Sequence, residues 1–345
     1  MIFEFVGQEV AIGHCHILSL AFVLRTDGSD AIDVTSTELR HVRLNQFRKE
    51  FFTMAHFDLN GASAIVTGGS RGVGPHIATA LAERGARVAL VARSHAELGS
   101  TAGRLAEAGH TILEVAADVT SREDRHRIVQ SVEREFGAVD VLVNNAGGDL
   151  QREFHNLAEE QIEGVLELNL TSAVILTRLV LPGMLARERG HIVNISSMAG
   201  RTSFPFTEAY AGAKDGLIGF TRVLRGDYRP RGISGSTLIL GPVRDTGVGP
   251  RTADEVGISV PSFGVSGAAV GKATVRAIRK DKAELAVLPG PGLALRAIMD
   301  RFPGMGPTMN RAAGVNKTMQ TVAAYREHAA RLADAEHAAR DSSVR

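Results

Sequence analysis

The chain has 345 residues, 44% of them apolar and 22% charged, an ordinary globular composition with enough length to bury a sizeable core. Lys and Arg number 39 against 38 Asp and Glu, and a formal charge of +1 argues against nucleic-acid binding through overall charge. Cys15 is the single cysteine, which excludes an intrachain disulfide and a cysteine-based zinc site and fits a reducing, cytoplasmic compartment.

Along the chain, residues 1–53 show no sustained helical or strand period. The longest uncharged stretch there, Val10 to Leu24, spans 15 residues, short of the ~20 needed to cross a bilayer. Glu4 and Glu9 precede it where a leader would carry Lys or Arg, so no transmembrane or targeting segment is expected. Residues 54–289 then alternate short β-branched runs with longer helical stretches. Strands are predicted at Ala62–Thr67, Arg87–Ala92, Thr111–Ala117, Val139–Asn144, His191–Ser196, Ile233–Leu240 and Glu284–Leu288. Between them, helices are predicted at His76–Gly85, His95–Ala108, Ser121–Phe136, Leu157–Leu185 (interrupted near Pro182), Glu208–Tyr228 and Gly267–Lys280. This alternation implies right-handed βαβ crossovers and a parallel sheet of seven strands. Runs such as VALVA and VDVLV suit strands covered by helices on both faces. The expected fold is α/β: one doubly wound domain over 54–289, with an N-terminal extension (1–53) and a C-terminal one (290–345). The last opens with PGPGLA and turns helical from about Lys317. Val322, Tyr325, Ala329 and Leu332 recur there as a narrow apolar stripe, so a solvated helix docked by that face is expected.

Chemistry concentrates at the ends of the strands. The first runs into Thr67-Gly68-Gly69-Ser70-Arg71-Gly72-Val73-Gly74, and a helix begins at once. Glycines permit a tight turn and close approach of the backbone to a ligand, while the helix start offers free N–H groups to a diphosphate. Pro75 suits a first-turn position. Tyr210 and Lys214 stand four apart on a predicted helix and so share a face. An ammonium beside a phenol would lower its pKa from ~10 towards a working range.

With Asn144-Asn145-Ala146-Gly147 after the fourth strand and Ser197 after the fifth, these motifs resemble the short-chain dehydrogenase/reductase family over roughly Leu59 to Leu288. The resemblance implies a Rossmann-type fold and a catalytic set of Asn169, Ser197, Tyr210 and Lys214, with the serine 13 residues before the tyrosine as the family has it. Ser197 would hold the substrate oxygen, and Asn169 would orient a water linking Lys214 to solvent. Cofactor contacts are implied at Gly68, Ser70, Arg71, Gly72, Val73 and Gly74, at Arg93 and Ser94, and at Asp118 and Val119. Further contacts are implied at Asn145, Ala146 and Gly147, at Tyr210 and Lys214, and at Gly241 and Val243. No acid follows the second strand to hold a ribose 2′-hydroxyl; Arg93 and Arg71 suit a 2′-phosphate, so NADP (NADPH) is the expected cofactor.

The loop Leu240-Gly241-Pro242-Val243 departs from the family's Pro-Gly pattern, and its usual threonine falls one place late, at Thr246, behind Asp245. Residues 246–266 are expected to form a short, Gly-rich, mobile substrate lid whose sizeable apolar residues are Val256, Ile258, Val260 and Phe263. The expected reaction interconverts a secondary alcohol and a carbonyl on a small-molecule substrate. Two alternatives stay open: an NAD-dependent alcohol or hydroxysteroid-type dehydrogenase, and a catalytically silent NADP-binding sensor. The family pairs long helices across a two-fold axis, implying a homodimer or homotetramer through 157–185 and 207–229. Since family members begin their first strand soon after the start, the working polypeptide is expected to begin at or near Met54.

Overall fold

In the computed structural model, which describes residues 3–12, 15–24, 57–258, 264–290 and 292–343, the chain separates into two units, Met1–Ala55 and His56–Arg345. In the first unit β1 (Phe3–Ile12) pairs antiparallel with β2 (Cys15–Leu24), in register from Phe3↔Leu24 to Ile12↔Cys15. The sequence of this segment shows no sustained strand period. The alternation in FEFVGQEVAI changes phase across Gly7–Glu9, which hides the strand from a period count. Met54 lies outside the described residues.

The second unit opens with β3 (Ser63–Thr67), α1 (Gly74–Ala82), β4 (Arg87–Ala92), α2 (His95–Glu107), β5 (Ile112–Ala116), α3 (Arg122–Phe136) and β6 (Val141–Asn144). It continues with α4 (Glu159–Leu166), α5 (Ser172–Ala186), β7 (Gly190–Ser197), α6 (Glu208–Tyr228), β8 (Ile233–Leu240), α7 (Val248–Val256), α8 (Gly267–Arg279) and β9 (Glu284–Val287). The seven strands β3–β9 form a parallel sheet in the order β5-β4-β3-β6-β7-β8-β9. Alternate residues of β3 face opposite sides: Val66 packs with Ile77, Leu81 and Leu98, and Ile65 with Ile128, Leu176 and Met184. Helices therefore cover both faces, as the unbroken apolar runs require. The order reverses beside β3, where β6 returns on its other side, and a doubly wound sheet opens a crevice at such a point, above the strands' carboxyl ends.

Three details differ from the sequence expectation. Pro182 sits inside α5 without ending it; the break falls at Glu167–Thr171, a π turn between α4 and α5. Asn169 explains the shift: its amide donates to the Val165 carbonyl at 2.8 Å, occupying the acceptor of an ordinary α turn. The helical stretch Glu159–Ala186 is long and apolar enough to cross a membrane, yet Leu176, Val180 and Met184 are buried in the core of the unit.

The expected lid contains the helix α7, and Val260 and Phe263 lie outside the described residues. Beyond β9 come α9 (Gly292–Arg301), α10 (Gly306–Ala312) and α11 (Val315–Ser343). Of the predicted stripe, Val322 docks and Tyr325, Ala329 and Leu332 do not. Tyr325 and Leu332 are 45% and 53% exposed, whereas Met319, Val322, Ala323 and Glu327 are buried. Glu327 is held by Arg152 at 2.9 Å, and a salt bridge in an otherwise apolar seam is invisible to an apolar-stripe count.

Candidate active site

The glycine turn after β3 is shaped by close backbone packing. Gly68 and Gly72 have φ of +64° and +65°, in the left-handed region, and a Cβ on Gly74 would stand 2.0 Å from the Gly68 carbonyl oxygen. Only glycines let α1 start this close to the strand, with Pro75 in its first turn. Across the crevice the Asn145 amide donates to the carbonyls of Thr67 (2.8 Å) and Gly68 (3.2 Å), and the Thr67 hydroxyl accepts from the N–H groups of Asn145 and Ala146. Asn144 is a brace: buried, it donates to Asn194 at 2.8 Å.

These turns border a cleft of ≈ 1240 Å³ that also reaches Ser197, Tyr210, Lys214, Gly241 and Val243. Of the residues chosen from sequence, Gly74 and Asn169 do not line it. Gly74 acts through the turn it packs on. Asn169, buried behind the wall, donates to the Gly148 carbonyl at 2.7 Å and accepts from its N–H at 3.2 Å. A Cβ on Gly147 would stand 2.7 Å from Asn169 Oδ1 and 3.2 Å from Lys214 Nζ, so Gly147 lets the two side chains converge.

Tyr210 and Lys214 project from one face of α6, with Lys214 Nζ 5.5 Å from the centre of the phenol ring. Lys214 is buried, donates to the Ile195 carbonyl at 3.0 Å, and burial pulls its pKa down to about 8. Burial pushes Tyr210 up to about 12; a hydrogen bond with Ser197 pulls the other way and the Asp149 carboxylate adds to the rise. The expected lowering of the phenol pKa by Lys214 is therefore not found in the protein alone. The phenol is a proton donor at neutral pH. Ser197 ends β7, and its hydroxyl also accepts from the Ala199 N–H at 3.1 Å.

At the opposite end, Arg71 lies 3.9 Å from Glu97 and Arg93 lies 3.9 Å from Asp118, all four at the cleft. Ser70 donates to Glu97 at 3.2 Å, and Ser94 caps α2 by accepting from the Glu97 N–H. Asp118 also accepts from the Thr120 hydroxyl at 2.7 Å, and Val119 lines the wall beside it. The departure at Asp245 has a structural cause. Its carboxylate accepts from the Gly267 N–H at 2.9 Å, at the start of α8, while Thr246 reaches the cleft. The glycine cradle and the helix start fit the diphosphate of a dinucleotide.

Sequence reasoning missed several residues here. Glu97 gave no motif. Arg251 on α7 borders the same cleft, and its pKa is lowered by burial and by the charge of Arg71. Asp149 follows the NNAG turn; burial pushes its carboxyl up to about 6, against hydrogen bonds from the N–H groups of Gln151 and Leu150. Its adjacency to Asn145-Ala146-Gly147 was the signal available. Met299, Met309 and Met319 also line the cleft, with no local sign of it in the sequence.

Known proteins resemble this chain in sequence and fold. The family model for short chain dehydrogenase matches residues 62–256. The chain is 35% identical over 240 residues to the ketoacyl reductase HetN of Nostoc sp., a match covering 68% of this chain and 80% of that protein. It is 37% identical over 184 residues to the 3-oxoacyl-[acyl-carrier-protein] reductase FabG of Vibrio cholerae, covering 53% and 74% respectively. A crystal structure of a variant actinorhodin polyketide ketoreductase with NADPH superposes with a TM-score of 0.62 at 32% identity, covering 67% of this chain and 97% of that one.

Proposed function

The chain belongs to the short-chain dehydrogenase family, and from that premise we propose that it is an NADPH-dependent reductase converting a ketone or ketoacyl group to a secondary alcohol. The observation that carries this is the grouping of Tyr210, Ser197 and Lys214 at one end of a cleft whose other end is a glycine cradle flanked by Arg71 and Arg93. NADPH, when bound, supplies the hydride. Gly68, Gly72 and the N-terminus of α1 would hold its diphosphate, Arg71 and Arg93 its 2′-phosphate, and Asp118 and Val119 the adenine side.

At the other end, the Ser197 hydroxyl holds the substrate oxygen as negative charge grows there. Tyr210 gives its phenolic proton to that oxygen, so the alcohol leaves neutral. Lys214 stabilises the phenolate left behind, and because burial has lowered its own pKa to about 8 it can pass a proton on at little cost. Asn169 keeps Gly148 and the neighbouring turn in place. Relatives named as ketoacyl and 3-oxoacyl reductases support the reduction direction; in alcohol oxidation the same phenol would act, ionised, as the base. We also propose that the enzyme works in the cytoplasm as a homodimer or homotetramer.

An NAD-dependent dehydrogenase is favoured by one observation, the carboxylates of Glu97 and Asp118 beside the two arginines. Initial rates with NADPH and NADH across a panel of ketones and ketoacyl thioesters separate the two. A kcat/KM ratio favouring NADPH is expected; equal or better use of NADH, or turnover only of alcohols with NAD, contradicts the proposal.

A further inference from the structure

Proton transfer and hydride delivery occupy only the floor of the cleft. Its outer wall is made by α9–α11, a segment that no motif singled out. Met299 and Met319 are buried there, and Met309 and Val315 are half-buried. Met198 and Phe204, from the loop after Ser197, border the same space.

This wall is fastened to the loop after Ser197, to the turn after β6 and to α7. Asn310 donates to the Ser203 carbonyl at 2.6 Å, and a Cβ on Gly306 would stand 2.9 Å from the Ser203 hydroxyl, so α10 lies directly on the loop after the catalytic serine. Arg326 donates to the carbonyls of Asp149 (3.2 Å) and Leu150 (2.8 Å), to the Thr252 hydroxyl (2.9 Å) and to Glu255 (3.3 Å), tying α11 both to the turn after β6 and to α7. Arg152 and Glu327 pair at 2.9 Å with both side chains mostly covered.

The charges fall unevenly. Arg71 and Arg93 stand at the cofactor end, Arg251 on α7 lies within the field of both Arg71 and Arg326, between the two ends, and Lys214 donates to the Ile195 carbonyl beside Tyr210. Among the described residues of 198–207 and 299–322 that border the cleft, none is Lys or Arg. Arg326 is committed to its four partners, and the Asp149 carboxyl adds an acid. Against this wall an anionic substrate would meet a carboxyl and no free cation, and desolvating it there is costly. A neutral apolar group would meet thioethers and methyls, and methionine adapts to irregular shapes.

We infer that α9–α11 form a fixed roof over the substrate end, and that this roof selects a bulky, neutral, apolar ketone over a phosphate- or carboxylate-bearing acyl substrate. The inference rests on the carbonyl-reductase reading of the cleft. The test uses the full chain with NADPH and three probes: trans-1-decalone (bulky, neutral, bicyclic), acetoacetyl-CoA (anionic) and butanone (small). Decalone should be used at least about tenfold better in kcat/KM than acetoacetyl-CoA. Met319→Ala and Met309→Ala should each cost about tenfold in kcat/KM for decalone, mainly through KM, while butanone reduction and NADPH affinity hold. Met309→Lys, at a half-buried site, should shift preference towards acetoacetyl-CoA. Preference of the unaltered chain for acetoacetyl-CoA, or equal losses for decalone and butanone in both alanine variants, overturns the inference and leaves the reductase standing. If no ketone consumes NADPH, decalone binding to the NADP-loaded chain decides. Thermal stabilisation lost in the alanine variants upholds the roof and sinks the reductase, and no stabilisation sinks both.

Discussion

The two ends of the cleft are built in different ways. The cofactor end consists of short turns, each following one strand of the sheet: Thr67–Gly74 after β3, Arg93–Ser94 after β4, Asp118–Val119 after β5 and Asn145–Gly147 after β6. The substrate end is assembled from segments far apart in the chain, with Asn310 seated on Ser203 and Arg326 on Asp149 and Leu150. Local backbone geometry dictates the first end, and tertiary docking dictates the second. Substitutions at the cofactor end should therefore alter dinucleotide affinity alone, and those at the substrate end should alter what is reduced.

The largest effect should come where the ends meet. Tyr210→Phe keeps the ring and loses the proton, so turnover should fall by at least about 100-fold while the Kd for NADPH, read by fluorescence titration, stays within about twofold. A variant that keeps most of its turnover would break the division of labour between proton donor and cofactor cradle.

Arg93→Asp comes next and sharpens the comparison from the other side. An acid facing the 2′-phosphate should weaken NADPH binding by about 2 kcal/mol, roughly 30-fold, and improve NADH relative to it, with the preference among ketones unchanged. Calorimetric titration with both cofactors measures this, and an unchanged ratio would mean the phosphate is read elsewhere.

Asp149→Asn tests the substrate end through stability. The folded-state pKa of about 6 lies above the ordinary carboxyl value of 3.8, so the folded protein holds the proton more tightly than the unfolded chain. Native Asp149 therefore costs stability as pH rises from about 4 to about 6, and the full cost persists above that. The asparagine variant should gain about 1 kcal/mol, a few degrees in Tm, at pH 7, after allowance for solvent screening of a half-buried group, and almost nothing at pH 4. Thermal melts across that range check it; a gain independent of pH would contradict it.

Glu97→Gln should give the smallest change. The Glu97–Arg71 pair is half-exposed on both sides, so freeing the guanidinium should tighten NADPH by about threefold at low salt and less at high salt. Binding curves at two ionic strengths would show this.

The same division explains how far the sequence could be read. The seven-stranded parallel sheet and the cofactor turns were legible because each is a contiguous pattern, a β-branched run, a short turn, then a helix, and the first turn adds glycines at positive φ. Tyr210 and Lys214 were legible because residues four apart on a helix share one face, and Ser197 through its family-like spacing before the tyrosine; the cleft brings the three together. The break at Asn169 was misplaced to Pro182 because a proline is visible in sequence and a side chain capturing the Val165 carbonyl is not. On α11 the predicted stripe picked Tyr325 and Leu332, which face solvent, because the seam that docks includes the charged Glu327. Arg251 and the methionine wall acquire their meaning only from neighbours distant in the chain, whereas Asp149 had one local sign, its place just after Asn145-Ala146-Gly147.

The central claim is that this cleft moves a hydride to a carbonyl carbon while Tyr210 protonates the oxygen. It is tested most directly by incubating the full chain with a bulky ketone and NADPH deuterated at the nicotinamide C4 position that donates, then analysing the alcohol by mass spectrometry. One deuterium on the carbinol carbon is expected, formed at a rate that collapses in Tyr210→Phe. Tight NADPH binding with no label transferred to any carbonyl compound would contradict the claim.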